Sequence, residues 1–235
     1  GMLSMEELAP RGREGAAAGA AGRLLARLRS FLGSDGAVGR GAAIAFLVRV
    51  ASAGLLYLSQ IVLARWMGGF EYGVYVFVWT WVLVLGGLSN LGLSTLMIRL
   101  VPEYRERGEH QLLRGLLRYG RLTALLASSV VAGLAFLALH FAGDRLSGPY
   151  LLPAMIALAC VPIVTLSDLQ DGIGRGRGWM SVALLPPYVL RPLLVLLAMV
   201  AAHAIGWPMA AVTAAMCAVA GTWAAALVQT VLLQR

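Results

Sequence analysis

Six apolar runs, each long enough to cross a lipid bilayer, dominate the chain from residue 41 onward. A spanning helix needs about 20 predominantly apolar residues. In hydrocarbon every backbone polar group must also be bonded internally, which a helix achieves. The sequence therefore predicts an all-α, polytopic membrane protein with a bundle of six transmembrane helices. These runs lie near residues 41–64, 74–98, 121–142, 149–168, 180–202 and 207–232.

Composition supports the same class of protein. The 235 residues are 60% hydrophobic and only 13% charged, whereas a soluble domain carries about a quarter charged residues. All 19 basic residues are arginine, and the net charge is +8. Because these arginines lie in short loops between apolar runs, membrane topology explains the charge and no nucleic-acid partner is predicted. Cys160 and Cys217 fall in apolar runs, so buried, free thiols are expected.

The arginines are distributed very unevenly between the two sides of the predicted bundle. Six precede the first run, six lie between residues 99 and 121, Arg175 and Arg177 follow the fourth run, and Arg235 ends the chain on the same side, whereas the opposite side has only Arg65 and Arg145. Cytoplasmic loops are enriched in arginine. Both termini are therefore predicted to be cytoplasmic.

Residues 1–40 are predicted to form a separate cytoplasmic segment, preceding a transmembrane lobe at 41–235. Within it, residues 16–33 have leucines at helical spacing beside arginines, which is typical of an amphipathic helix on an anionic membrane surface. A frayed polar tail is the alternative. The segment lacks the short apolar core and cleavage site of a signal peptide. Since Gly1 is not an initiator, we expect a residue left from expression or a piece of a longer protein.

Two arginines, Arg49 and Arg191, lie inside apolar runs whose interiors contain no acid. A guanidinium in hydrocarbon costs several kcal/mol, with values from ~3 to above 10. Two unpaired arginines would create a cavity that attracts anions. Arg49 shares a polar helical face with Ser52, Ser59 and Gln60, and either lines such a cavity or snorkels to the interface.

Prolines surround Arg191, near the middle of the fifth run. Pro186, Pro187 and Pro192 break the backbone ladder and free carbonyl groups. Broken helices near the bilayer midplane are typical of transporter binding sites. The alternative is that Arg191 bonds the freed carbonyls.

Asn90 and Asp168 are weaker candidates. Asn90 lies among glycines in the second run, where packing between helices is the alternative role. Asp168, at the cytoplasmic end of the fourth run, either pairs at the surface with Arg175 or Arg177 or couples transport to an ion.

The residue patterns of enzymes are missing. The three histidines have no metal-ligand spacing, and no lysine exists for a phosphate-binding loop. The glycine-rich run at 172–178 is predicted to be a loop between spans. No paired carboxylates or nucleophile constellation is present, so we expect a protein that is not an enzyme and uses no metal or cofactor.

Five stretches resemble polysaccharide repeat-unit flippases, which include O-antigen (lipopolysaccharide) transporters of the multidrug/oligosaccharidyl-lipid/polysaccharide exporter superfamily. Residues 47–50 and 63–75 (LARWMGGFEYGVY) are similar to the family's first span and loop. The segment 92–104, ending in PEY, is similar to the end of its second span. Residues 172–175 and 190–194 are similar to its fourth-to-fifth connection and fifth span.

The resemblance implies that an oligosaccharide linked to undecaprenyl diphosphate is moved across the bacterial cytoplasmic membrane by alternating access of two lobes. It implies Arg191 and Arg49 as ligands of the diphosphate head group, Gln60 and Asn90 as partners of sugar hydroxyls, and Asp168 as a possible coupling acid. Such proteins have twelve or fourteen spans, so six correspond to an N-terminal lobe. A C-terminal lobe or partner subunit, membrane lipid and the lipid-linked oligosaccharide are the implied partners.

Three other functions remain open from the sequence. A flippase for the peptidoglycan precursor would use the same charge chemistry. A drug or cation antiporter of the same superfamily would bind its cationic substrate with buried acids rather than with arginines. In a different class, the chain would be a membrane scaffold or a degenerate half-transporter without transport activity.

Overall fold

The computed structural model describes residues 38–143 and 148–234, and all regular structure within them is helical. The predicted amphipathic helix at 16–33 lies outside these residues. Contacts separate two compact units, Gly1–Phe46 and Leu47–Arg235. Only the opening turns of the first helix are described for the smaller unit. The helices are α1 (Val38–Ser89), α2 (Leu93–Glu106), α3 (His110–Ala142), α4 (Leu151–Ala157) with a 3₁₀ turn (Leu158–Cys160), α5 (Val161–Gly176), α6 (Met180–Leu185) with a π-helical segment (Pro186–Leu190), α7 (Arg191–Ile205) and α8 (Ala211–Gln234).

Five helical stretches among the described residues are long and apolar enough to cross a membrane: Gly41–Ser89, His110–Ala142, Leu151–Gly176, Met180–Ile205 and Ala211–Gln234. The chain is thus a multi-pass membrane protein. The count differs from the predicted six because the first two runs share α1. That helix is broken at Gly68, which has non-helical backbone angles (φ 80°, ψ 163°). Glycine adopts a positive φ without the steric cost that a Cβ imposes.

The two halves of α1 contact α7 in opposite order. Before Gly68, the guanidinium of Arg49 lies over the Tyr188 ring and Trp66 stacks on His203, near the end of α7. After Gly68, Trp79 lies beneath Arg191, the first residue of α7. The chain therefore passes along α7 toward its end and then returns toward its beginning.

Helix α5 is the centre of the bundle, and α2, α3, α6 and α8 all pack against it. Glycines permit close approach at two of these crossings. A Cβ on Gly172 would lie 2.9 Å from Ser94 Cα, and one on Gly174 would lie 2.8 Å from Ala183 Cβ. Helices α5 and α8 are the most buried spans, whereas α1 and α3 are mostly exposed. The buried thiols of Cys160 and Cys217 are free, as expected.

Two predicted boundaries were wrong. The second run does not continue through Asn90, because Leu91 (φ 49°) and Gly92 (φ 74°) form a left-handed turn between α1 and α2. The predicted loop at 172–178 is helical to Gly176 because its glycines pack on α2 and α6.

Glu71 joins the returning half of α1 to the start of α8. Its Oε2 accepts a hydrogen bond of 2.7 Å from the backbone N–H of Ala211. A carboxylate at a helix N-terminus satisfies a free N–H group and opposes the positive end of the helix dipole.

We expect Glu71→Ala to lower stability by about 1–2 kcal/mol, the usual value of such a cap. Glu71→Gln should lose less, since the amide oxygen still accepts the hydrogen bond. Thermal unfolding in detergent measures both, with Glu106→Ala, an exposed glutamate on α2, as control. Equal midpoints for Glu71→Ala and Glu106→Ala would contradict the capping role.

Candidate anion-binding site

Arg191 begins α7 directly after an irregular segment of helix. The preceding Pro186–Leu190 is π-helical. The π-helix is rare in proteins overall, but where it occurs it is often at a functional site. Pro186, Pro187 and Pro192 supply no backbone N–H, so the regular bonding pattern is interrupted on both sides of the arginine. The predicted break in the fifth run is therefore present. It takes the form of a widened turn rather than a gap in the helix.

Aromatic rings face both arginines. The Arg191 Cζ lies 5.9 Å from the Trp79 ring centroid, and the Arg49 Cζ lies 4.5 Å from that of Tyr188. Guanidinium groups within about 6 Å of a ring face are attracted by its quadrupole. Tyr188 precedes Arg191 by three residues, about one helical turn. The ring that Arg49 contacts thus lies one turn before Arg191.

Burial distinguishes the two arginines. Arg191 is half-buried, and Tyr75 and Trp79, one turn apart on α1, form an aromatic wall near it. Arg49 is exposed. The guanidinium of Arg49 is therefore accessible, whereas that of Arg191 is held against aromatic surface.

Carboxylates lie near this pair without forming ion pairs with it. Asp168 interacts electrostatically with Arg191, and Asp171 with Arg49. Within residues 38–143 and 148–234, however, the only ion pairs shorter than 4 Å are Arg107–Glu103 and Arg175–Asp171. Surface pairing with Arg175 is thus made by Asp171 and not by Asp168. No carboxylate of the described part of the chain engages the guanidinium donors of Arg49 and Arg191.

The other polar residues that the sequence placed in the site do not all lie near the two arginines. Ser52 and Ser59 donate to carbonyls of their own helix, Arg49 and Leu55 respectively, while Gln60 is exposed. Asn90 lies apart, in the turn before α2, where its side chain bonds the backbone N–H and hydroxyl of Ser94. Its local role is to join α1 to α2. Asp168 is exposed and lies within α5, two turns before its end.

Two features of the site were missed from the sequence. Trp79 and Tyr75 carry the aromatic wall, and their spacing of four residues is a signal of a shared helical face. Nothing in the sequence links that face to Arg191. Among the described residues no group of three or more histidine, cysteine or acidic side chains is arranged to hold a metal ion.

The long apolar helices define a multi-pass membrane protein, and two of its arginines lie against aromatic rings. Residues 38–234 match the family described as polysaccharide biosynthesis proteins, and the chain belongs to that family. The resemblance to polysaccharide flippases is thereby confirmed at the level of the family. Searches of the curated proteins and of the solved structures gave no significant match.

Proposed function

We propose that the chain moves a lipid-linked oligosaccharide, carried on an undecaprenyl diphosphate, across the bacterial cytoplasmic membrane. The observation that carries this proposal is that Arg49 lies over Tyr188, one turn before Arg191, and that neither arginine forms an ion pair among the described residues. Membership of the polysaccharide biosynthesis family supports a saccharide cargo. O-antigen repeat units belong to this class of substrate.

A diphosphate suits two guanidinium groups better than any other part of the substrate. Arginine presents planar, fixed donors that bind phosphate oxygens in pairs. Such bonds strengthen where water is excluded, and Arg191 is half-buried beside Trp79. Gln60 is exposed on the same helix as Arg49 and is our candidate for sugar hydroxyls.

We infer that α1 crosses the membrane twice, so that the lobe has six spans. At about 1.5 Å per residue, the 49-residue stretch Gly41–Ser89 is more than twice as long as the ~30 Å of hydrocarbon. Its contacts with α7 reverse after Gly68. With the arginine-rich connections on one side, six spans leave both termini in the cytoplasm.

A second lobe is part of this proposal. Alternating access needs two bodies that rock around one site, and the six spans proposed here form one of them. The C-terminal half of a longer chain, or a partner subunit, would supply the facing wall of the site. Asp168, near Arg191, is our candidate for coupling to an ion.

Reconstitution into liposomes tests the proposal. The chain, with its second lobe where one is encoded, should translocate a fluorescent oligosaccharide linked to undecaprenyl diphosphate. It should not translocate the same oligosaccharide on a neutral lipid. Preference for the peptidoglycan precursor would assign the chain to that pathway instead. Transport of an organic cation would indicate an antiporter, and absence of all transport would favour a scaffold.

A further inference from the structure

A second group of arginines lies where α2, α3 and α5 cross, away from Arg49 and Arg191. Glycines bring these helices together: a Cβ on Gly176 would lie 2.9 Å from the Met97 carbonyl oxygen, and Gly120 faces the Met97 methyl group. The residue after each glycine is an arginine, Arg121 on α3 and Arg177 after α5. Arg105, on α2, is the third. The fold therefore gathers three guanidinium groups that are distant in sequence.

The arginine cluster is defined as Arg105, Arg121 and Arg177, and a direct contact joins Arg105 to Arg177. The Arg105 Nη1 donates to the backbone oxygen of Arg177 at 3.3 Å, and the Arg177 Nη1 donates to that of Leu233 at 2.8 Å. The Arg177 guanidinium also lies 5.2 Å from the Trp179 ring centroid. Arg121 is within electrostatic range of Arg177.

The cluster is short of negative charge. None of its members forms an ion pair with a carboxylate in the part of the chain that the structure describes. The Nε of Arg121 is buried there without a hydrogen-bond partner, and an unsatisfied buried donor is unfavourable. Burial, and then the charge of Arg105, lower the pKa of Arg177. Three like charges at one place repel, and a positive-inside preference explains their side of the membrane but not their convergence.

We propose that the arginine cluster binds a phosphate group, presented by an anionic phospholipid of the cytoplasmic leaflet. Guanidinium groups match phosphate oxygens in charge and geometry. Arg177 directly follows the span that ends at Gly176, on the side predicted to be rich in arginine, where lipid head groups are found. Basic pockets between transmembrane helices at this level recognise phosphorylated head groups. A bound phosphate would neutralise the repulsion and hold α2, α3 and α5 together.

Lipid binding to the full chain tests this site. We would titrate the purified protein with phosphatidylglycerol or phosphatidylcholine and follow bound lipid by native mass spectrometry and stability by thermal unfolding. Phosphatidylglycerol should bind preferentially and raise the unfolding midpoint. Arg121→Gln should weaken that binding about tenfold to a hundredfold, the value of a hydrogen bond to a charged group. Arg105→Gln should weaken it as well.

Arg118→Gln is the matched control, since Arg118 is exposed on the same helix as Arg121. It should bind phosphatidylglycerol as the wild type does. If Arg118→Gln and Arg121→Gln lose phosphatidylglycerol binding equally, overall charge explains the effect and the proposal is overturned. A parallel titration with inorganic phosphate and pyrophosphate distinguishes a lipid head group from a free phosphate ion as the ligand. Stabilisation by these ions, with no preference between the two lipids, would overturn the lipid assignment.

Discussion

Arg191→Gln should reduce translocation of a diphosphate-linked oligosaccharide by about 100-fold or more, because at least two charge-assisted hydrogen bonds of about 1.5–3 kcal/mol each are lost. The glutamine keeps a polar side chain beside Trp79 but carries no charge. The transport rate of Arg191→Lys should lie between those of the wild type and Arg191→Gln, since an ammonium attracts a diphosphate without the paired donors of a guanidinium. Initial transport rates in liposomes at equal protein content measure the effect.

Folding of the Arg191 variants must be checked separately from transport. Arg191 makes no ion pair with a carboxylate among the described residues. Removing its charge therefore leaves no paired acid behind, and the unfolding midpoint should stay close to that of the wild type. Arg65→Gln is the control, because Arg65 is exposed on α1 and lies outside the site. Wild-type transport by well-folded Arg191→Gln would refute the assignment of the head-group site.

Gly172→Ala should destabilise the bundle by about 1–3 kcal/mol, the usual cost of overpacking a filled interior. The new methyl group would lie 2.9 Å from Ser94 Cα and 3.0 Å from its carbonyl carbon, both backbone atoms that cannot rotate away. Helix α2 would have to move from α5, the central helix. The larger side chain of Gly172→Val should prevent accumulation of folded protein in the membrane.

Gly133→Ala, in α3, is the matched substitution. A Cβ on Gly133 meets no atom within 4 Å. Because alanine has the higher helix propensity, this change should be neutral or should stabilise by about 0.5–1 kcal/mol. Thermal unfolding and the yield of detergent-extracted monodisperse protein compare the two alanine variants. If both variants unfold at one temperature, close packing at Gly172 is not what holds α2 against α5.

The sequence predicted the helices better than it predicted the turns and the contacts between helices. The six apolar runs are mostly helical in the structure, because length and hydropathy are local properties that the bilayer selects. A turn at residues 90–92 interrupts the second run. The turn at Asn90 was missed because Leu91 adopts a positive φ, which no residue pattern announces for leucine. The helical state of residues 172–176 was also missed, since glycine usually ends a helix. Here packing of Gly172 and Gly174 against neighbouring backbone overrides that preference.

The sequence by itself determined the class of protein, the positions of the apolar helices and the two arginines that hydrocarbon would not tolerate unaided. These follow from transfer free energies, which depend on residue type and run length. Only the tertiary structure decided that Arg49 lies over Tyr188, that Trp79 lies beneath Arg191, and that Asp171 rather than Asp168 pairs with Arg175. Such neighbours are set by the break at Gly68 and by the glycine contacts of α5, because helix packing depends on how closely two backbones can approach.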